Sequence, residues 1–119
     1  MTGIESAFHE IINFHELYCL NRPDEQTYSQ RDENLKAARN YFMTGQNDRH
    51  SLESHMQTLQ DVCNELEIHY RESIVEKNTY SQGIIVLQYE SCMSKLKMLM
   101  IKFKLRMLLH DLRNINDSI

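Results

Sequence analysis

The stretch from Lys95 to Arg113 is apolar on two opposite sides of the helix that its periodicity predicts. At about 100° per residue, one apolar cluster forms on one side of the helical wheel, and it consists of Leu96, Leu99, Met100, Phe103 and Met107. A second cluster forms on the other side, and it consists of Met98, Ile101, Leu105, Leu109 and Leu112. Because both faces need to be covered, we expect one to pack inside the chain and the other against a partner.

We assign one apolar face of this helix to the core of the chain and the other to a partner interface. The internal core is predicted to use one face, represented by Leu96, Leu99, Met100 and Phe103. The partner interface is predicted to use the other face together with the adjacent Leu108. It consists of Met98, Ile101, Leu105, Leu108, Leu109 and Leu112. The pattern alone leaves the reverse assignment open, since both faces are equally apolar.

The scarcity of turn-forming residues predicts the fold class. The 119 residues include three Gly and one Pro, whereas an all-β chain needs such residues at many tight turns. We therefore predict an all-α fold, a small bundle of about four helices built on a long, coiled-coil-like antiparallel hairpin. A chain of this length predicts a single domain over 1–119, with a helix pair in 1–44 and the hairpin in 48–116.

Capping residues and breakers predict the limits of the first two helices. Thr2 and Glu5 have the spacing of a capping box at the start of the first helix. Pro23 is expected to end that helix and to open the second one, which covers about residues 24–43. The first half of the second helix is almost wholly polar, so it offers no continuous apolar face there.

Residues 44–48 form the clearest predicted loop. Gly45 is placed to end one helix, and Asp48 or Ser51 is placed to cap the next one. A coiled-coil-like seam follows the loop, and it consists of Leu52, Met56, Leu59, Cys63, Leu66 and Tyr70. We predict a tight break at residues 78–83 and a last helix over about 84–115, the alternative being one unbroken helix of more than about 60 residues.

The charge distribution divides the chain into an acidic and a basic part. Residues 1–94 carry 7 basic and 15 acidic side chains, whereas residues 95–119 carry 6 basic and 2 acidic ones. The two parts are expected to attract each other, within one chain or between chains. A simpler interpretation is that the cations only keep an apolar helix in solution.

A row of cations provides the alternative function, nucleic-acid binding. Phosphates or an acidic partner are expected to contact Lys95, Lys102, Arg106 and Arg113. The acidic remainder of the chain and the lack of interleaved exposed aromatic residues count against nucleic acid. A membrane-surface or calmodulin-type helix would show one polar and one apolar face, which this stretch does not.

The histidines and acidic residues do not form a metal-binding motif. His9 and His15 are six residues apart, about 240° around a helix, so they cannot bind one metal as an i, i+4 pair would. No Glu is followed by His three residues later, as in the metal sites of helical bundles. The run Glu65, His69, Glu72 and Glu76 is predicted to be an exposed polar face.

No nucleophile motif or Gly-rich phosphate loop is present in the sequence. We therefore predict that the protein is not an enzyme, with no catalytic residues, no bound metal and no cofactor.

Cysteine usage predicts a compartment. Cys19, Cys63 and Cys92 are odd in number, form no CxxC pair and follow no apolar signal segment, which indicates a reducing intracellular setting, cytoplasmic or nuclear. Lys102, Lys104 and Arg106 interrupt the most apolar stretch, so no transmembrane segment is predicted.

These observations together predict a protein–protein interaction module. We expect it to self-associate as a homodimer through the two-faced C-terminal helix, or to join a helical hetero-complex. Its role would then be that of an adaptor, a complex subunit or a small regulatory protein.

Overall fold

The computed structural model describes the backbone of residues 3–19, 25–76 and 79–118, and the side chains of residues 3–17, 29–71 and 86–117. Over these residues the chain is all-α, with α1 (Gly3–Cys19), α2 (Glu25–Met43), α3 (Arg49–Glu76) and α4 (Thr79–Ser118). The four helices pack into an elongated bundle that measures 61 × 26 × 25 Å. The predicted all-α bundle of four helices is confirmed.

Helices α3 and α4 form the antiparallel hairpin. Arg49, at the start of α3, donates a hydrogen bond to Asp111 near the end of α4, with 3.1 Å between Nε and Oδ1. At the other end of the hairpin, the rings of Tyr70 and Tyr89 are stacked with their centroids 3.9 Å apart. The predicted seam of α3 faces inward, since Leu52, Leu59, Cys63 and Leu66 are all buried.

Helix α4 begins earlier than predicted. Helix α3 ends at Glu76 and α4 begins at Thr79, so residues 79–83 are helical and residues 77 and 78 lie outside the described chain. The physical reason is that Gly83 costs a helix interior only about 1 kcal/mol relative to Ala. A helix of 40 residues with a buried face compensates for that amount. The alternative of one unbroken helix is excluded, because α3 and α4 are separate helices that run antiparallel.

The N-terminal pair packs on the hairpin. Helix α1 buries its apolar stripe, which includes Phe8, Ile11 and Ile12, and α2 buries Leu35 and Ala38. These side chains belong to one core that continues into α3 and α4. The predicted capping residue Thr2 and the predicted helix stop at Pro23 lie outside the described residues.

The loop between α2 and α3 has the predicted caps. Gly45 adopts a φ of 73°, which is the left-handed conformation expected just after a helix end. Asp48 caps α3, because its carboxylate accepts a hydrogen bond of 2.9 Å from the backbone N–H of Ser51. The hydrogen bonds from the Ser51 side chain and backbone also hold the pKa of Asp48 below its ordinary value.

Replacing Gly45 by Ala is expected to lower the free energy of unfolding by about 1 kcal/mol, because a Cβ strains the left-handed backbone. Space is not the cause, since a Cβ at Gly45 would meet nothing within 4 Å. Gly3 is the matched control, because its Cβ would also meet nothing within 4 Å and its backbone is helical. Urea denaturation of both variants checks this prediction, and an equal loss in both would contradict it.

Candidate protein-interaction surface

The structure shows which face of α4 belongs to the core. Leu96, Leu99 and Phe103 are completely buried, and Met107 is nearly so. Met100 is partly buried and packs against the same cluster. The face predicted to form the internal core therefore does so, and the reverse assignment is excluded.

The opposite face of α4 is open. Ile101, Leu105, Leu108, Leu109 and Leu112 are between 50 and 61% exposed. Met98, the sixth residue of the predicted interface, differs from the others because it is partly buried and packs against the core. Exposed leucines that stand alone are ordinary, but a contiguous apolar row on one helix indicates an interaction site.

Five of the exposed apolar residues form a regular row, which we call the exposed stripe: Ile101, Leu105, Leu108, Leu112 and Ile115. The intervals between them alternate between four and three residues, which is the heptad spacing of a coiled-coil seam. Ile115 is missing from the predicted interface, although it continues this spacing and is 57% exposed. The heptad interval was the signal in the sequence that would have found it.

The exposed stripe is confined to the C-terminal part of α4. Earlier on the same side of the helix, Glu90, Ser94 and Lys97 are exposed. The stripe covers 15 residues, which is about 21 Å of helix. Because Asp111 is already opposite the first residue of α3, the last turn of the stripe extends past the start of α3.

A shallow groove of about 370 Å³ borders the stripe on the side of α3. Ile101 and Lys104 form its wall on α4 together with Met100, and Met56 and Gln60 form its wall on α3. A helix that covers the stripe would therefore also contact α3 at this groove.

Lys95, one of the four predicted phosphate-binding cations, has a partner within the chain. It donates a hydrogen bond to Glu10 of α1, and Glu10 also accepts one of 2.7 Å from Ser91. Burial acts to raise the pKa of Glu10, but the hydrogen bonds from Lys95 and Ser91 and the charge of Lys95 lower it overall. The acidic and basic parts of the chain thus meet here within one molecule.

Arg106 is also occupied within the chain. Its guanidinium lies over the ring of Phe42, 3.5 Å from the centroid, and donates a hydrogen bond of 3.1 Å to the carbonyl of Phe42. Of the other two predicted cations, Lys102 is partly buried and Arg113 is exposed. The four cations therefore do not present one uniform row to a polyanion.

A second polar feature lies inside the bundle, where α1, α2 and α3 meet. Each nitrogen of the buried His15 ring faces a carboxylate oxygen, with Nε2 3.0 Å from Glu65 and Nδ1 3.5 Å from Asp32. Arg31 lies 2.5 Å from the other oxygen of Glu65, and Lys36 lies 3.0 Å from Asp32. We call these five residues the buried polar cluster; His15, Asp32 and Glu65 are buried, and Arg31 and Lys36 are partly exposed at its edge.

The buried polar cluster corrects one expectation. Glu65 and His69 were predicted to lie on an exposed polar face, and both are 7% exposed. The side chains of Glu72 and Glu76, the other two residues of that run, lie outside the described residues. The reason is the docking of α1 and α2, which places His15 and Arg31 beside Glu65. The sequence did contain an indication that His69 is buried, because His69 continues the helical spacing of the buried residues Val62 and Leu66.

The geometry gives the buried polar cluster a structural role. His15 is completely buried, so no substrate can reach its ring. Among the described residues there is no group of three or more His, Cys, Asp and Glu side chains arranged to hold a metal ion. The cluster instead connects three helices through the ion pair of Arg31 with Glu65 and through the contacts of the His15 ring with Glu65 and Asp32.

Within the described residues, none of the helices has an apolar stretch long enough to span a bilayer. Comparison of the chain with protein-family models, with curated proteins and with solved structures finds no match.

Proposed function

We propose that this protein is a non-enzymatic interaction module that forms a homodimer through the exposed stripe of α4. The observation that carries the proposal is the stripe itself, a row of five Leu and Ile side chains, each at least half exposed, on the side of α4 opposite to its buried face. Heptad-spaced apolar rows of this kind are buried by packing against another helix.

A second copy is the partner that fits the stripe best. The stripe carries only aliphatic side chains at its heptad positions, so two copies can bury them against each other without burying a charge. Cations lie at its edges, where Lys104 is exposed to solvent. An apolar centre with a charged rim is the usual composition of a protein–protein interface.

Two contacts make nucleic acid the weaker candidate. Lys95 is bonded to Glu10, and Arg106 lies on Phe42, so these two cations of the predicted phosphate row already have partners. A dimer that brings two such bundles together would serve as an adaptor, as a subunit of a larger complex or as a small regulatory protein.

Sedimentation equilibrium over a range of micromolar concentrations tests the proposal. We expect a mass that rises with concentration from 14.2 kDa toward twice that value, because two stripes are covered only in the dimer. A mass of 14.2 kDa at every concentration would overturn the proposed self-association. The same result combined with salt-sensitive binding of a duplex oligonucleotide would favour nucleic acid instead.

A further inference from the structure

We propose that the two copies of α4 run antiparallel, with the two-fold axis crossing between residues 106 and 107. This inference rests on the proposed homodimer and specifies its geometry. It follows from the order of the apolar residues along α4 and from the charges that flank them.

The exposed stripe matches itself in this antiparallel register. Leu105 faces the partner's Leu108, and Ile101 faces the partner's Leu112. Ile115 faces the partner's Met98, which is partly buried and closes the end of the interface. Each pair occurs twice because of the two-fold symmetry, so every residue of the stripe meets an apolar residue.

The charges that flank the stripe also match in this register. On the side of α4 next to α3, the heptad positions that flank the seam hold Lys104 and Asp111. In the antiparallel pair, Lys104 lies beside the partner's Asp111 on that side, and the two-fold axis repeats the pair. Asp111 can accept this second cation, because its side chain is 46% exposed while it binds Arg49.

The parallel alternative brings like charges together. Two parallel helices in register place Lys97 of one copy beside Lys102 of the other, at the flanking positions that interact across a parallel seam. That arrangement would also place Leu87, which is 69% exposed, beside the partner's Leu87. The intervening residues of that seam, Ser91 and Ser94, would form a polar gap.

Two charge reversals distinguish the two arrangements. Lys104→Glu is expected to raise the dimer dissociation constant by about threefold to tenfold. The reason is that it places a carboxylate beside the partner's Asp111, and the two-fold axis repeats this repulsion. Lys102→Glu is expected to leave that constant nearly unchanged, because Lys102 flanks the partner's Leu109 in the antiparallel pair. The effect of Lys104→Glu should shrink at high salt, since the pairs lie at the edge of the interface.

Leu87→Glu is the third variant, and we expect it to have no effect on the dissociation constant. The antiparallel orientation is overturned if Lys102→Glu tightens the dimer, or if one of the other two variants departs from expectation, Leu87→Glu by weakening the dimer or Lys104→Glu by leaving it unchanged. In either case dimerisation itself stands. A wild-type chain that stays monomeric would instead overturn the proposed function, so the two failures are distinguishable. Circular dichroism of each variant verifies that the helices are retained.

Discussion

Replacing both Ile101 and Leu105 by Glu is expected to convert the dimer into a monomer with nearly unchanged helix content. Both side chains are more than half exposed within one copy, so the fold does not depend on them. Each replacement removes about 1 kcal/mol that burial of the apolar side chain contributes to the dimer. It also places a Glu against apolar side chains of the partner. Because the change occurs in both copies, dimerisation should weaken by about 4 kcal/mol or more, which is roughly a thousandfold.

Sedimentation equilibrium together with circular dichroism measures this effect. Ile68→Glu is the matched control, because Ile68 is 56% exposed on α3 and lies outside the stripe. The control should remain as dimeric as the wild-type chain. Two results would contradict the assignment of the stripe: unfolding of the double variant, or equal dissociation of the Ile68 control.

The two faces of α4 show how far the sequence predicts this fold. Periodicity alone separated the cluster around Leu99 and Phe103 from the cluster around Ile101 and Leu105. It did not decide which cluster is buried, because both are equally apolar. That decision depends on where α1, α2 and α3 pack, and it needs three-dimensional contacts such as those of Phe42 with Phe103.

The buried polar cluster shows where prediction from composition fails. His15 and Glu65 are polar side chains on amphipathic helices, and such residues are usually assigned to solvent. Their burial depends on α2, whose polar first half gave the weakest helix prediction and yet supplies Arg31 and Asp32. A polar residue is buried where partners with opposite charge arrive from other helices, and spacing along a single helix does not reveal those partners.

Replacing Glu65 by Ala is expected to lower the free energy of unfolding by about 3 kcal/mol, more than any other single substitution proposed for stability. Glu65 binds both His15 and Arg31, and its removal leaves the buried ring of His15 without that carboxylate. A loss of this size is a large fraction of the total stability of a small domain. Urea denaturation followed by circular dichroism measures it.

Glu67 provides the control for Glu65 on the same helix. It binds Arg71 at 2.6 Å, but both side chains are substantially exposed, so Glu67→Ala should change the free energy of unfolding by about 0.5 kcal/mol or less. A double-mutant cycle adds a second criterion, because His15→Ala should cost less once Glu65 is absent, with a coupling of about 1 kcal/mol or more. Equal effects of the two Glu substitutions, or additive effects of the His15 and Glu65 substitutions, would show that α1 and α3 do not meet through these side chains.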